Sequence, residues 1–207
     1  MSDSRLAEAL DENDAPTLDE IDRERAQEFA LLAALLVRAP DAALLGRIAG
    51  LQGNATPLGH AHAALAEMAR AADAGQVARE FFDLFIGVGR GELLPYGSYY
   101  MTGFLHERPL ARLRADLEAR GIQRAEGMHE PEDHAGILCE IMAGLIGREF
   151  AATPEEQQQF FEKHLAPWIG RFFVDLEMAE RADFYRHVGA LGRIFIGIET
   201  EAFALPG

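Results

Sequence analysis

Apolar residues recur at helical spacing along almost the whole chain, and this periodicity constrains the fold most. The clearest case is one apolar face within residues 137–146, formed by Ile137, Leu138, Ile141, Met142, Leu145 and Ile146. Side chains one, four and five positions apart lie on the same face of an α-helix. The sequence shows no convincing strand-like alternation, no repeat and no low-complexity tract. We therefore predict an all-α fold: a single compact domain of roughly eight or more helices.

The prolines support this segmentation, because each of them lies near a predicted boundary, tail or kink. Proline has no N–H to donate, so it suits a first helical turn and breaks a helix interior. We expect Pro131 at the first position of the helix that carries the 137–146 pattern. Residues 153–156 read as a capped helix start. A helix over about 98–121 should bend or break at Pro109, and another break is expected near Pro167.

The chain is strongly acidic, with a formal net charge of −15. Residues 1–17 are rich in carboxylates and poor in apolar side chains, so we predict an acidic mobile tail there and a helical domain over 18–207. Nucleic acids and anionic membrane surfaces bind proteins through clustered Lys and Arg. Both are therefore unfavourable partners for a chain this acidic. A basic partner segment is favoured instead.

Cysteine content and hydropathy point to the cytoplasm. Cys139 is the single cysteine, so no intramolecular disulfide can form, which suits a reducing compartment. The N-terminus lacks the basic and then apolar pattern of a secretory signal. The apolar runs are too short and too interrupted to span a bilayer, so we expect no stable membrane insertion.

Two short segments concentrate the candidate site residues. The first is Pro95–Tyr100, which offers three tyrosines at a loop-to-helix junction, with Ser98 as the expected helix N-cap. Tyr96, Ser98 and Tyr100 are the candidates here, although Tyr100 could equally pack into the core. Tyrosine is frequent at interfaces because its ring is apolar and its hydroxyl is polar.

The second segment is Glu130-Pro131-Glu132-Asp133-His134, at the start of the apolar helix. Helix-start physics accounts for the proline and the acidic residues, but it does not require a histidine. Glu130, Asp133 and His134 are therefore candidates. Their spacing fits no metal template, so we expect no metal and no cofactor. An Asp133/His134 acid–base pair in a small hydrolase, with a nucleotide as one candidate substrate, remains the alternative function, although no nucleophile in a recognisable context accompanies it.

Taken in order, these segments resemble the TorD/DmsD family of cytoplasmic chaperones for molybdoenzymes. The resemblance covers about residues 25–200. It is carried by Leu84-Phe85-x-Gly87, then Pro95-Tyr96-Gly97-Ser98-x-Tyr100, then Glu130-Pro131-x-Asp133-His134, then His164-Leu165-x-Pro167-Trp168. The chain departs from the family pattern at Tyr96, where members often have tryptophan, and at Leu94, where they often have proline.

The resemblance implies a non-enzymatic, all-helical, cytoplasmic protein. Its partners would be the twin-arginine leader and the body of a molybdoenzyme precursor, which it would hold back from export until the molybdenum cofactor is inserted. The implied leader-binding residues are Tyr96, Ser98, Tyr100, Glu130, Asp133 and His134. By family analogy the molybdenum cofactor or a guanine nucleotide are further candidate ligands. We also expect His134 to orient Asp133 or donate to the peptide, and its protonation to tune affinity near neutral pH.

Overall fold

Ten α-helices make up the described part of the chain, which in this computed structural model comprises residues 19–124 and 130–204. Their bounds are α1 Glu20–Val37, α2 Ala42–Ile48, α3 Pro57–Ala71, α4 Ala74–Phe81, α5 Gly97–Thr102, α6 Arg108–Ala119, α7 Ala135–Ile146, α8 Pro154–His164, α9 Ile169–Met178 and α10 Phe184–Ala204. A π-helical turn, Phe82–Ile86, extends α4. Within the described ranges the only β pairing is an isolated bridge, so the all-α prediction is confirmed. The predicted tail over 1–17 lies outside the described residues.

Helix α7 forms the centre of the core. Almost every one of its residues is buried, as expected for a helix that is apolar all round. It packs along α1, while α10 packs against α9 and α3. The core is completed by large side chains that are almost fully buried, among them Phe29, Phe160, Phe161, Phe172, Phe173 and Tyr185.

A glycine lets the first turn of α7 approach α1 closely. A Cβ atom at Gly136 would lie 2.8 Å from Cγ2 of Val37 and 3.0 Å from its backbone nitrogen. Any larger residue would push the two helices apart, because a packed core has no spare room. This contact fixes where α7 begins, directly beside the Glu130–His134 segment.

Several predicted helix boundaries are confirmed. Thr153 caps α8 in a full capping box with Glu156, and Pro154 occupies the first turn. The helix expected over 98–121 is broken into α5 and α6, with Pro109 in the first turn of α6. The chain also breaks around Pro167, between α8 and α9.

Two predicted helix starts are wrong. Helix α7 begins at Ala135, and its N-cap is His134; Pro131 lies in a preceding turn where its carbonyl accepts the His134 N–H at 3.1 Å. Helix α5 has Tyr96 at the N-cap position, and Ser98 is inside the helix. Both differences have the same cause. The backbones of residues 95–97 and 133–135 hydrogen bond to each other across the fold.

Candidate functional site

The two candidate segments meet in space, and their backbones hold each other. The Gly97 N–H donates to the Asp133 carbonyl at 2.9 Å, and the Ala135 N–H donates to the Pro95 carbonyl at 2.8 Å. Tyr96 and His134 face each other as an isolated antiparallel pair between these bonds. The start of α5 and the start of α7 therefore form one rigid junction, which we call the α5–α7 junction (residues 95–98 and 130–135).

Asp133 lies beneath this junction. Its side chain is buried, and Oδ2 accepts the Ser98 backbone N–H at 2.7 Å. The carboxylate thus supplies the helix cap that Tyr96 cannot give to α5, and a negative charge is favourable at the N-terminus of a helix. Oδ1 is buried too, and it has no hydrogen-bond partner among the described residues.

Ser98 is fully buried, so it is not itself a surface contact. Its Oγ accepts the His106 N–H at 3.2 Å, which ties the loop between α5 and α6 back to the junction. Its role in the structure is to place the α5 backbone, both through this bond and through its N–H to Asp133.

His134 is buried and acts as the N-cap of α7. Its Nδ1 accepts the Gly136 N–H at 3.1 Å, and its ring lies edge-on to Tyr96 at a centroid distance of 5.3 Å. Burial lowers the pKa of His134 to about 4, although the nearby Glu130 and Asp133 charges oppose this effect. The imidazole is therefore neutral at neutral pH, and our expectation that its protonation tunes affinity there is wrong.

Glu130 is the predicted carboxylate that reaches solvent. It is exposed, and its Oε2 accepts the Tyr96 hydroxyl at 2.5 Å. Tyr96 is half-buried; burial, and then the hydrogen bond to Glu130, raise its pKa well above the usual value. Tyr96 stays protonated and so holds the Glu130 carboxylate in place at the rim of the junction.

Tyr100 points to a different part of the fold. Its hydroxyl donates to Oδ2 of Asp175 at 3.1 Å. Its ring packs against Trp168 and Phe172, with centroid distances of 5.5 and 6.0 Å. Of the predicted residues, then, Tyr96, Ser98, Glu130, Asp133 and His134 come together, whereas Tyr100 belongs to the aromatic cluster on α9.

A small cavity behind the junction limits what can reach Asp133. Its volume is about 40 Å³, and Asp133, Trp168 and His164 line it together with the cations Arg112 and Lys163. A space of this size holds one water molecule, not a guanidinium group. A Cβ atom at Gly97 would lie 2.9 Å from Nε1 of Trp168, so the wall here is close-packed. The Asp133 carboxylate is therefore enclosed, whereas that of Glu130 is exposed.

The sequence did not reveal two ion-pair groups near the junction. Glu132 binds Arg114 at 2.9 Å and Arg124 at 3.0 Å. Oδ2 of Asp116 on α6 contacts Lys163 at 2.6 Å and His164 at 2.7 Å on α8, so His164 cross-links the two helices. Both groups join residues far apart in the chain, and no local pattern announces them.

The described residues contain no cluster of metal-ligating side chains. Across 19–124 and 130–204, no group of three or more His, Cys, Asp or Glu side chains is arranged to hold a metal ion. The His134 imidazole caps a helix, and the Ser98 hydroxyl is bonded to the His106 backbone. Asp133 and His134 are thus both used in holding the α5–α7 junction together.

Among the helices of the described ranges, none combines the length and the apolar character that crossing a bilayer requires.

Known proteins similar to this chain share both its sequence pattern and its fold. Residues 51–174 match the model of the family described as nitrate reductase delta subunit. The chaperone protein TorD of Vibrio atlanticus is 28% identical over 139 residues, which are 62% of this chain and 65% of that protein. TorD of Vibrio cholerae is 28% identical over 130 residues, 58% of this chain and 59% of that protein. The matched segment thus spans less than two thirds of these relatives.

A solved structure from Archaeoglobus fulgidus, of a protein described as a candidate redox enzyme maturation protein, superposes with a TM-score of 0.53. The match covers 89% of this chain and 99% of that one at 18% identity, so it bears on the fold alone. The family match, in contrast, spans well over half of the sequence and includes the α5–α7 junction. Together with the TorD relatives, it shows that this chain belongs to the nitrate reductase delta subunit family, the family of the TorD chaperones.

Proposed function

We propose that this protein is a cytoplasmic, non-enzymatic maturation chaperone that binds the twin-arginine leader of a molybdoenzyme precursor. The leader would engage the α5–α7 junction before export, while the cofactor is inserted into the body of the precursor. One observation carries the proposal: an exposed carboxylate, Glu130, is held in place by Tyr96 on a rigid junction of two helix starts. A guanidinium pairs with such a carboxylate through charge-assisted hydrogen bonds.

The predicted residues then act in two ways. Glu130 and Tyr96 form the contact surface, since both retain exposed side chains. Asp133, His134 and Ser98 are positioning residues, because they are buried and fix the backbone on which that surface stands. Tyr100 supports α5 from the opposite side through Trp168.

A groove beside the junction suits the apolar stretch of the leader. Its first part has a volume of about 180 Å³ and is lined by apolar side chains, three carboxylates, an amide and one cation, namely Leu117, Ile122, Ile137, Ile141 and Phe150 with Glu132, Glu140, Glu149, Gln123 and Arg124. Arg124 is paired with Glu132, so Glu140 and Glu149 carry the acidic character. It shares Glu140 and Glu149 with a second part of about 620 Å³ between α1 and α7, where alanines dominate the floor. An apolar helix can lie in such a groove, with its cationic end at the acidic end of the groove.

The cationic contact is tested with Glu130→Gln, which keeps the shape of the side chain and removes its charge. Isothermal titration calorimetry with a synthetic twin-arginine leader should show binding about tenfold weaker, the loss expected for one charge-assisted hydrogen bond. The client is first identified by a pull-down from the native cytoplasm, and its own leader sequence is used.

A double-mutant cycle gives this test its control. The same titration is repeated with a leader in which the two arginines are glutamines. If Glu130 pairs with an arginine, the two changes together should weaken binding by much less than the product of their separate effects. Fully multiplicative effects would contradict the pairing.

The apolar contact is tested with Ala30→Lys on the exposed face of α1. Ala30 lines the larger part of the groove, and a lysine there would place a long cationic chain across it. Leader binding should weaken by roughly tenfold, because apolar area is no longer covered and a charged ammonium group would have to be buried against the apolar stretch. Ala71→Lys, at the exposed end of α3, is the matched control and should leave the affinity unchanged. Equal effects of the two variants would exclude the groove.

A further inference from the structure

A second cleft lies away from the α5–α7 junction, between α1, α3, α10 and the loop before α3. Its volume is about 530 Å³, which is within the usual range for small-molecule sites. Its apolar lining comes from Ile21, Leu31, Leu51, Leu58, Phe195 and Ile198. Ile21 and Ile198 are exposed large aliphatic side chains in this lining.

One carboxylate of this cleft is buried and only half satisfied. Glu28 is 9% exposed, and its Oε2 lies 2.9 Å from Nε2 of His62. Its Oε1 is buried and has no hydrogen-bond partner among the described residues. Leaving a buried carboxylate oxygen unpaired is costly, so a donor that reached it would be bound favourably. The Glu28 side chain keeps 11% of its surface exposed.

The arginine in the cleft does not supply that donor, because its guanidinium pairs with two other carboxylates. Nε and Nη2 of Arg25 both donate to the Glu199 carboxylate at 2.8 Å, and Nη1 donates to Asp22 at 2.7 Å. Glu199 is almost fully buried in this pair. With Arg25 neutralised, Glu24 and Glu28 leave the cleft acidic.

The pKa of His62 depends on the same carboxylate. The hydrogen bond to Glu28 raises the pKa of His62, while burial opposes the rise. The imidazole bonds to only one of the two Glu28 oxygens, so the need for a second donor remains.

The wall around the cleft is preformed. Oδ1 of Asn54 accepts both the Thr56 N–H at 2.9 Å and the Thr56 hydroxyl at 2.5 Å. Oγ1 of Thr56 in turn caps α3 through the Gly59 N–H at 3.0 Å. A Cβ atom at Gly59 would lie 2.1 Å from Oδ1 of Asn54, so the loop is packed tightly onto the helix. A preformed site does not need to be ordered when a ligand binds, which favours affinity.

We propose that this cleft is a second ligand site, for a small organic cation of the alkylguanidine or alkylammonium class. The N–H groups of the cation would donate to the Glu28 carboxylate, whose side chain keeps part of its surface exposed, and its alkyl chain would cover Ile21 and Ile198. This inference goes beyond the leader-binding function, because the cleft shares no residue with the α5–α7 junction.

The test uses n-butylguanidine as the probe and n-butylurea, its uncharged analogue, as the control. Titrations followed by ¹H–¹⁵N correlation spectra should give saturable shifts for amides around Glu28 and His62 with the guanidine and none with the urea. Glu28→Gln should weaken binding of the guanidine about tenfold or more, because a charged acceptor is lost. Glu24→Gln, in the same cleft, should change it by no more than about twofold, as expected for an exposed charge.

Two outcomes would overturn the proposal. One is the absence of saturable shifts with n-butylguanidine up to about 10 mM. A dissociation constant above that concentration would be weaker than that of any useful site of this kind. The other is equal binding by the native protein and Glu28→Gln. Should Glu28→Gln fail to fold, Ile198→Ala, which shortens an exposed side chain of the cleft, takes its place with the same expected direction. Leader binding is measured on the same variants and should not change, so the two proposals stand or fall separately.

Discussion

Replacing Asp133 with alanine should lower the free energy of unfolding by about 2–3 kcal/mol, because it leaves a buried N–H without an acceptor. That N–H belongs to Ser98, which is fully buried and donates to Oδ2 of Asp133 at 2.7 Å. Urea unfolding followed by far-UV circular dichroism measures the change, and the slope with urea should stay the same if only the native state is affected.

Two matched variants separate the hydrogen bond from other effects at this site. Asp133→Asn keeps an oxygen that can accept the Ser98 N–H, so it should cost less than about 1 kcal/mol. Ser98→Ala keeps the bond to Asp133 and removes only the 3.2 Å bond from His106, so it should also cost about 1 kcal/mol or less. If Asp133→Asn were as damaging as Asp133→Ala, the carboxylate charge and not its acceptor geometry would hold the junction.

The same substitution should also weaken leader binding, although Asp133 is buried. The Asp133 carbonyl and side chain both accept from α5, at Gly97 and Ser98, so its loss loosens the backbone that places Tyr96. From the sequence alone, weaker binding with an unchanged fold would mark a contact residue. The structure instead predicts that binding and stability fall together, which marks a positioning residue.

Much of the fold follows from local sequence rules. The apolar face of 137–146 predicts a buried helix, and α7 is that helix. Pro109 and Pro167 predict breaks, since proline removes a donor wherever it stands, and both breaks occur. Thr153 and Glu156 form the capping box that their spacing predicts, because both partners lie within one turn.

The local rules fail where the partner is distant in the chain. Ser98 looks like an N-cap, but the acceptor at the start of α5 is Asp133, which lies 35 positions away. Pro131 looks like a first helical residue, but the backbone after it turns toward Pro95 and Gly97 before α7 starts. Motif order singled out two segments that meet in the fold, whereas only the tertiary pairing shows which of their side chains face solvent.

The pKa of His134 gives the second large effect, a loss of stability in mild acid. The folded pKa is about 4, below the ordinary value of 6.5, because the imidazole is buried. As the pH falls below 6.5, the unfolded chain takes up a proton that the folded protein does not accept until about pH 4. The contribution is therefore fully present above pH 6.5 and is lost toward pH 4, about 3 kcal/mol in all.

His134→Asn removes the titrating group but keeps the helix cap, because asparagine is a good N-cap and its side-chain oxygen can accept the Gly136 N–H. The variant therefore isolates the contribution of His134 titration to stability. Urea unfolding at a series of pH values should give a curve that is flatter for the variant between pH 6.5 and 4. His164, whose pKa burial also lowers, and His62, whose pKa is raised, titrate in both proteins and cancel in the difference. Parallel curves would mean that His134 is protonated in the folded protein over this pH range. A charged imidazole facing Glu130 would then contribute to leader binding.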